Sequence, residues 1–111
     1  MDWDSALNLS GRATPTTITS NQDDYTPTGI GSATVLRLSS DAARDITGMA
    51  EHLAGKLLLV FNVGSFNIVL KDESASSTAA NRFALNGDIT LQPDNSVGLW
   101  YDSTSSRWRA F

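Results

Sequence analysis

The residues able to do chemistry are few, and their spacing narrows what they could do. The 111-residue chain has one histidine, His52, and no cysteine. That removes thiolate nucleophiles, disulfides and zinc–thiolate sites, and it leaves one imidazole as a candidate base. His52 sits in Ala50-Glu51-His52-Leu53-Ala54. Serines are so common that a Ser-His-Asp match carries no information, and no Gly-x-Ser-x-Gly elbow is present. His52 is therefore read as an exposed loop residue, and no residue is assigned to catalysis. The carboxylate pairs Asp23-Asp24 and Asp72-Glu73 could bind calcium or act as acid and base. Neither has the alternating Asp-x-Asp-x-Asn-Gly spacing of a calcium loop. Turn formation accounts for aspartate at both places. Calcium at Asp23 and Asp24 stays open; no cofactor and no resident metal are assigned.

Two further groups are candidates for binding. Trp100, Tyr101 and Trp108 fall on the two arms of the last hairpin, either as core residues or as a stacking platform for a sugar. Arg107 and Arg109 lie two residues apart on one strand face, with Trp108 opposite. They would pair with Asp102 across the hairpin or with acidic groups of a neighbouring subunit. Arg82 is the candidate for a cross-subunit ion pair, with Asp72 or Glu73 as its partner. These residues frame the small-residue loop 74–80, where close approach of another backbone is sterically open.

Composition decides which elements must carry these residues. There are 14 Ser and 11 Thr, against two Lys and two Glu. Long helix formers are scarce and turn or strand formers abundant, which favours β structure. Net charge is −4 and pI about 4.6, which argues against a phosphate-tracking nucleic-acid binder or a basic membrane-surface module. The longest apolar run, Leu57-Leu58-Leu59-Val60-Phe61, is far short of the ~20 residues that cross a bilayer.

The pattern predicts a lead-in over residues 1–15, with Trp3, Leu7 and Leu9 as anchors, and a single all-β domain over 16–111. Strands are expected near 16–19, 33–39, 57–63, 67–71, 81–85, 88–91, 96–101 and 107–111, with one helical turn near 41–48. Residues 57–63 read as a strand buried on both faces. Gly64-Ser65 reads as a two-residue hairpin turn joining it to 67–71, with Gly64 at positive φ. No repeat at a solenoid period is visible. The expected architecture is an antiparallel β-sandwich of jelly-roll type with little helix. Leu36, Leu38, Leu58, Val60, Ile68, Leu70, Leu99 and Trp108 are its expected core.

Several segments together resemble a β-rich module of tailed-bacteriophage structural proteins. They are Ile18-Thr19-Ser20-Asn21-Gln22-Asp23-Asp24-Tyr25-Thr26-Pro27, Val35-Leu36-Arg37-Leu38-Ser39, Asn62-Val63-Gly64-Ser65, residues 73–83, and Trp100 to Arg109. The resemblance spans roughly residues 16–111 and rests on the order of the segments. It implies a tail-fibre, tail-tip or other virion surface component without enzymatic activity. The implied partners are copies of itself, with a trimer favoured, and other virion proteins, and a host-surface glycan is a further candidate. Nucleic acid and membrane insertion are not implied. The alternative function is a carbohydrate-binding module using Trp100, Tyr101 or Trp108.

Overall fold

The computed structural model describes residues 6–111. The expected anchor Trp3, with the rest of residues 1–5, lies outside them. Nine strands follow one another: β1 (Arg12–Ala13), β2 (Val35–Leu38), β3 (Arg44–Ile46), β4 (Leu57–Asn62), β5 (Ile68–Leu70), β6 (Phe83–Ala84), β7 (Ile89–Leu91), β8 (Ser96–Asp102) and β9 (Arg107–Ala110). Among the described residues helix amounts to 6%, in single 3-10 turns at Ile30–Ser32 and Ala79–Asn81. The protein is all-β, as its composition implies. β1 falls inside the expected lead-in and buries Ala13. The expected turn near 41–48 is instead the strand β3.

The pairing departs from an antiparallel sandwich. One sheet has six strands in the order β1-β2-β4-β8-β9-β6, and the other has three in the order β3-β5-β7. Both are mixed. β1–β2, β2–β4, β3–β5 and β6–β9 are parallel, while β4–β8, β5–β7 and β8–β9 are antiparallel.

The parallel pairs share a period. Ala13 faces Leu36, which faces Val60; Ile46 faces Leu70. Single bridges link Ile18 to Ser40, Gln22 to Ile46 and Tyr25 to Met49. Partners in these early rungs are therefore 22 to 24 residues apart. Parallel neighbours need a long crossover, and here a full coil of chain supplies it in place of a helix. The first three passes of the chain stack as coils. β7 and β8 then fold back antiparallel on β5 and β4 and close the stack. The repeat is spatial, since only the apolar character recurs at stacked positions (Ala13, Leu36, Val60) and not the residue.

This pairing corrects two expectations. β4 and β5 do not form a hairpin: β4 lies in the larger sheet and β5 in the smaller one. Gly64 does not take a positive φ. A Cβ on it would sit 2.9 Å from the Ser39 Cβ, so glycine is needed there for close packing between coils. β4 also buries only one face. Leu58, Val60 and Asn62 have no exposure, while Leu57 and Phe61 are each 37% exposed. All eight expected core residues are buried. They belong to one cluster filled by both sheets and completed by Ile46, Met49, Phe83 and Leu91.

Asn62 is the polar exception in this core. Its Nδ2 donates to the Phe66 carbonyl at 2.7 Å and the Leu91 carbonyl at 2.8 Å, and its Oδ1 accepts from the Gly64 amide at 3.1 Å. One amide side chain thus ties β4 to the loop that leaves it and to β7 of the other sheet.

Candidate functional site

Strand alternation sorts the hairpin aromatics. On β8, Leu99 and Tyr101 point inward and Trp100 outward; on β9, Trp108 points inward. Tyr101 and Trp108 are cross-strand partners, and their rings meet edge-to-face at 5.2 Å, a favourable aromatic arrangement. Their polar ends are satisfied inside the chain. The Tyr101 hydroxyl donates to the Ala80 carbonyl at 2.7 Å, and the Trp108 indole N–H to the Met49 carbonyl at 3.1 Å. Trp108 is fully buried and Tyr101 nearly so. This corrects two of the three platform candidates, whose faces are closed by core packing. Trp100, 43% exposed, is the one left able to stack on a ligand.

His52 is not a free loop side chain. Its ring stacks on Tyr101 at 3.8 Å between centroids and 7° between planes, and lies nearly perpendicular to the Trp108 ring with 6.2 Å between centroids. The segment that carries it is pinned beside β8, where the Gly55 amide donates to the Tyr101 carbonyl and the Tyr101 amide to the Lys56 carbonyl. His52 Nε2 lies 2.8 Å from Asn81 Oδ1, and Asn81 Nδ2 donates to Asp24 Oδ1 at 3.0 Å. A carboxylate can only accept, which sets the orientation of the Asn81 amide. Asn81 Oδ1 therefore accepts, and His52 Nε2 carries the hydrogen. In the neutral ring Nδ1 then holds the lone pair, and it has no hydrogen-bond partner among the described residues.

Asp24 ends this chain. Its carboxylate also accepts from the Thr78 amide at 2.8 Å and the Thr78 hydroxyl at 3.3 Å. The Asn81 amide, followed by the Thr78 backbone N–H, holds the Asp24 carboxyl below the usual carboxylate range. Asp23 turns elsewhere and accepts from the Thr47 hydroxyl at 2.6 Å. The two carboxylates thus engage separate donors. Among the described residues no group of three or more His, Cys, Asp or Glu side chains is placed to hold a metal ion.

An open cleft of about 430 Å³ lies in front of His52, lined by Gly31, Glu51, Leu53, Ala54, Gly55 and Lys56 as well as His52 itself. Leu53 is 78% exposed. Trp100 stands at the rim, since a Cβ on Gly55 would lie 3.7 Å from its indole nitrogen. Lys56 Nζ donates to the Ala33 carbonyl at 2.9 Å. Glu51 holds a left-handed backbone at φ 57°, which is strained for a residue with a Cβ. The Glu51 carboxylate leans over Gly31, whose Cβ position would be 3.4 Å from Oε2.

The charged candidates find partners within the chain. Arg107 pairs with Glu73 at 2.7 Å and Arg109 with Asp102 at 3.2 Å. The hairpin pairing expected for Asp102 is thus present. Arg82 donates to the Ser77 carbonyl at 3.0 Å, and Asp72 accepts from the Leu85 and Gly87 amides. Within the chain, these side chains tie loop 71–88 together, and Arg82 forms no ion pair with Asp72 or Glu73 of its own chain among the described residues. The small-residue loop also packs at home. Ser77 is buried, shares a 2.7 Å hydrogen bond with the Thr47 hydroxyl and accepts from the Asp24 amide. Of the cleft lining only His52 stood out in the sequence, and of the network behind it Asp24, Tyr101 and Trp108 did so, each for another role. Glu51, Lys56 and Asn81 carry no motif, and the 24-residue stacking that gathers them leaves no repeated residue to find.

No family model matches the chain, and no curated protein or solved structure matches it.

Proposed function

We propose that this domain is a non-enzymatic structural module of a tailed-bacteriophage virion, in the tail, a fibre or another surface part, acting in assembly or host-surface attachment. The observation that carries the reading is the coil stack. Rungs repeating every 22 to 24 residues build a rigid body along one axis, as solenoids do, and leave binding to the surface between rungs. One core cluster filled from both sheets supports a sandwich-like reading of the body. The segments that resemble phage structural modules fall on the same coils and on the closing hairpin. Both edges of the larger sheet are strands of two residues, β1 and β6. Such short edges limit runaway strand addition while leaving side chains free for defined contacts. The partners in this reading are further copies of the chain, as a trimer, and neighbouring virion proteins.

The test is whether the chain travels with particles. Density-purified virions from the phage or induced prophage that encodes it should yield its peptides by mass spectrometry, and antibody-gold should label one fixed part of the particle. Particles that infect normally and lack the chain would overturn the reading. Light scattering on the isolated domain should give three times the 11.9 kDa chain mass, and a monomer at every concentration would remove the trimer.

A second reading, carbohydrate binding, is favoured by one observation: the exposed Trp100 indole stands beside a cleft of ligand size.

A further inference from the structure

We infer that the cleft in front of His52, whose lining residue Gly55 lies against Trp100, is a binding site for a neutral saccharide, held by apolar stacking and by hydroxyl groups that donate into a wall of acceptors. The inference rests on the carbohydrate-binding reading and names its site. The cleft's size falls within the roughly 300–1,000 Å³ typical of small-molecule sites, and its lining is mainly apolar, Leu53 and Ala54 included. Trp100 supplies an exposed aromatic face at the rim. Sugar rings present C–H groups on one face and hydroxyls at their edges, and an aromatic beside polar groups suits that pattern.

The polar groups decide the ligand class. The Glu51 carboxylate accepts only, and no salt bridge is assigned to it among the described residues. The hydrogen bond to Asn81 puts the His52 hydrogen on Nε2, so Nδ1 is a second acceptor. The one cation in the lining, Lys56, is held on the Ala33 carbonyl. Two acceptors without donors among the described residues suit a ligand rich in hydroxyl donors. They do not suit a phosphate or a carboxylate, which would meet Glu51 with like charge. The site is also held in shape. His52 is clamped by the Tyr101 stack and by Asn81, and Glu51 keeps a backbone conformation that glycine would adopt more readily. Strain retained at an exposed position beside a cleft is consistent with a binding role for its side chain.

The experiment is an amide and indole NMR titration of the whole chain with methyl glycosides of a hexose, an N-acetylhexosamine and a 6-deoxyhexose. A single ring in such a cleft binds with a dissociation constant on the order of 1 mM. At least one glycoside should shift the amides of Gly31 and Glu51 to Lys56 together with the Trp100 indole N–H. Trp100→Ala and Glu51→Ala should each weaken binding by roughly tenfold. Glu51→Gly should weaken it equally while melting no lower than the wild type, which separates loss of the side chain from loss of the fold. Shifts confined to another surface would overturn this site and leave carbohydrate binding standing. Absence of shifts with all three glycosides would overturn both, without bearing on whether the chain is found in virions.

Discussion

At the scale of single residues, two buried polar side chains on neighbouring coils have opposite energetic signs. Asn62 satisfies three backbone groups from the interior of the core. Asn62→Ala leaves two carbonyls and an amide without that partner and should cost about 3 kcal/mol or more in urea unfolding. Ser40 is also buried, but its hydroxyl has no hydrogen-bond partner among the described residues. Ser40→Ala removes an unpaired polar group and should leave stability unchanged or raise it by about 0.5–1 kcal/mol. Asp24 sets the pH dependence. Its folded pKa lies below the 3.8 of an isolated carboxyl, so its contribution is complete above that value and is lost as pH falls through the lower folded value. Asp88, held down by the Lys71 ammonium and the Asp72 amide, and Asp102, held down chiefly by the Ser105 hydroxyl, act with the same sign. Stability should hold level from neutrality to about pH 5 and fall below about pH 4. Asp24→Asn should flatten part of that fall; an unchanged acid limb would contradict the role of the Asn81 and Thr78 hydrogen bonds.

At the scale of elements, glycines mark where coils meet. A Cβ on Gly48 would lie 2.6 Å from both the Asn81 carbonyl oxygen and the Ser77 hydroxyl. Gly48→Ala must therefore push loop 74–81 off the Thr47 strip and should cost about 2–3 kcal/mol. Gly87, at φ 114° with nothing near its Cβ position, should lose only what a left-handed conformation costs a residue with a Cβ, roughly 1 kcal/mol. Equal losses at the two sites would argue against loop docking on Gly48. The individual strands and the buried set were legible in the sequence because apolar alternation, as in Leu36 and Leu38, reports local burial whatever the strand pairs with. Partner choice was legible for the last hairpin, β8 with β9, and not for the parallel pairs. The run from Leu57 to Phe61 is apolar throughout, yet its outward members are half-covered rather than buried, so continuous hydrophobicity overstated its burial. Gly64-Ser65 carries a hairpin signal that holds only if the flanking strands are neighbours, and the coil carries them into different sheets. The cleft escaped notice for the same reason, since Gly31 and the segment from Glu51 to Lys56 that line it are far apart in sequence and are brought together only by the fold.

At the scale of the whole molecule, the gathering of residues from separate passes of the chain depends on the coils being stacked in parallel. The chain contains no cysteine, so a pair introduced by substitution reports register without background. Arg37 and Phe61 are direct partners across β2 and β4, both on the outward face. Parallel neighbours sit about 4.8 Å apart, within the roughly 4.4–6.8 Å between Cα atoms that a disulfide spans. In the hairpin alternative around Gly64-Ser65, Phe61 would instead face Ile68. The account predicts that the double variant R37C/F61C closes an intramolecular disulfide on mild oxidation, seen as a linked peptide pair by mass spectrometry, and that F61C/I68C does not. Efficient closure of F61C/I68C with R37C/F61C left reduced would contradict it.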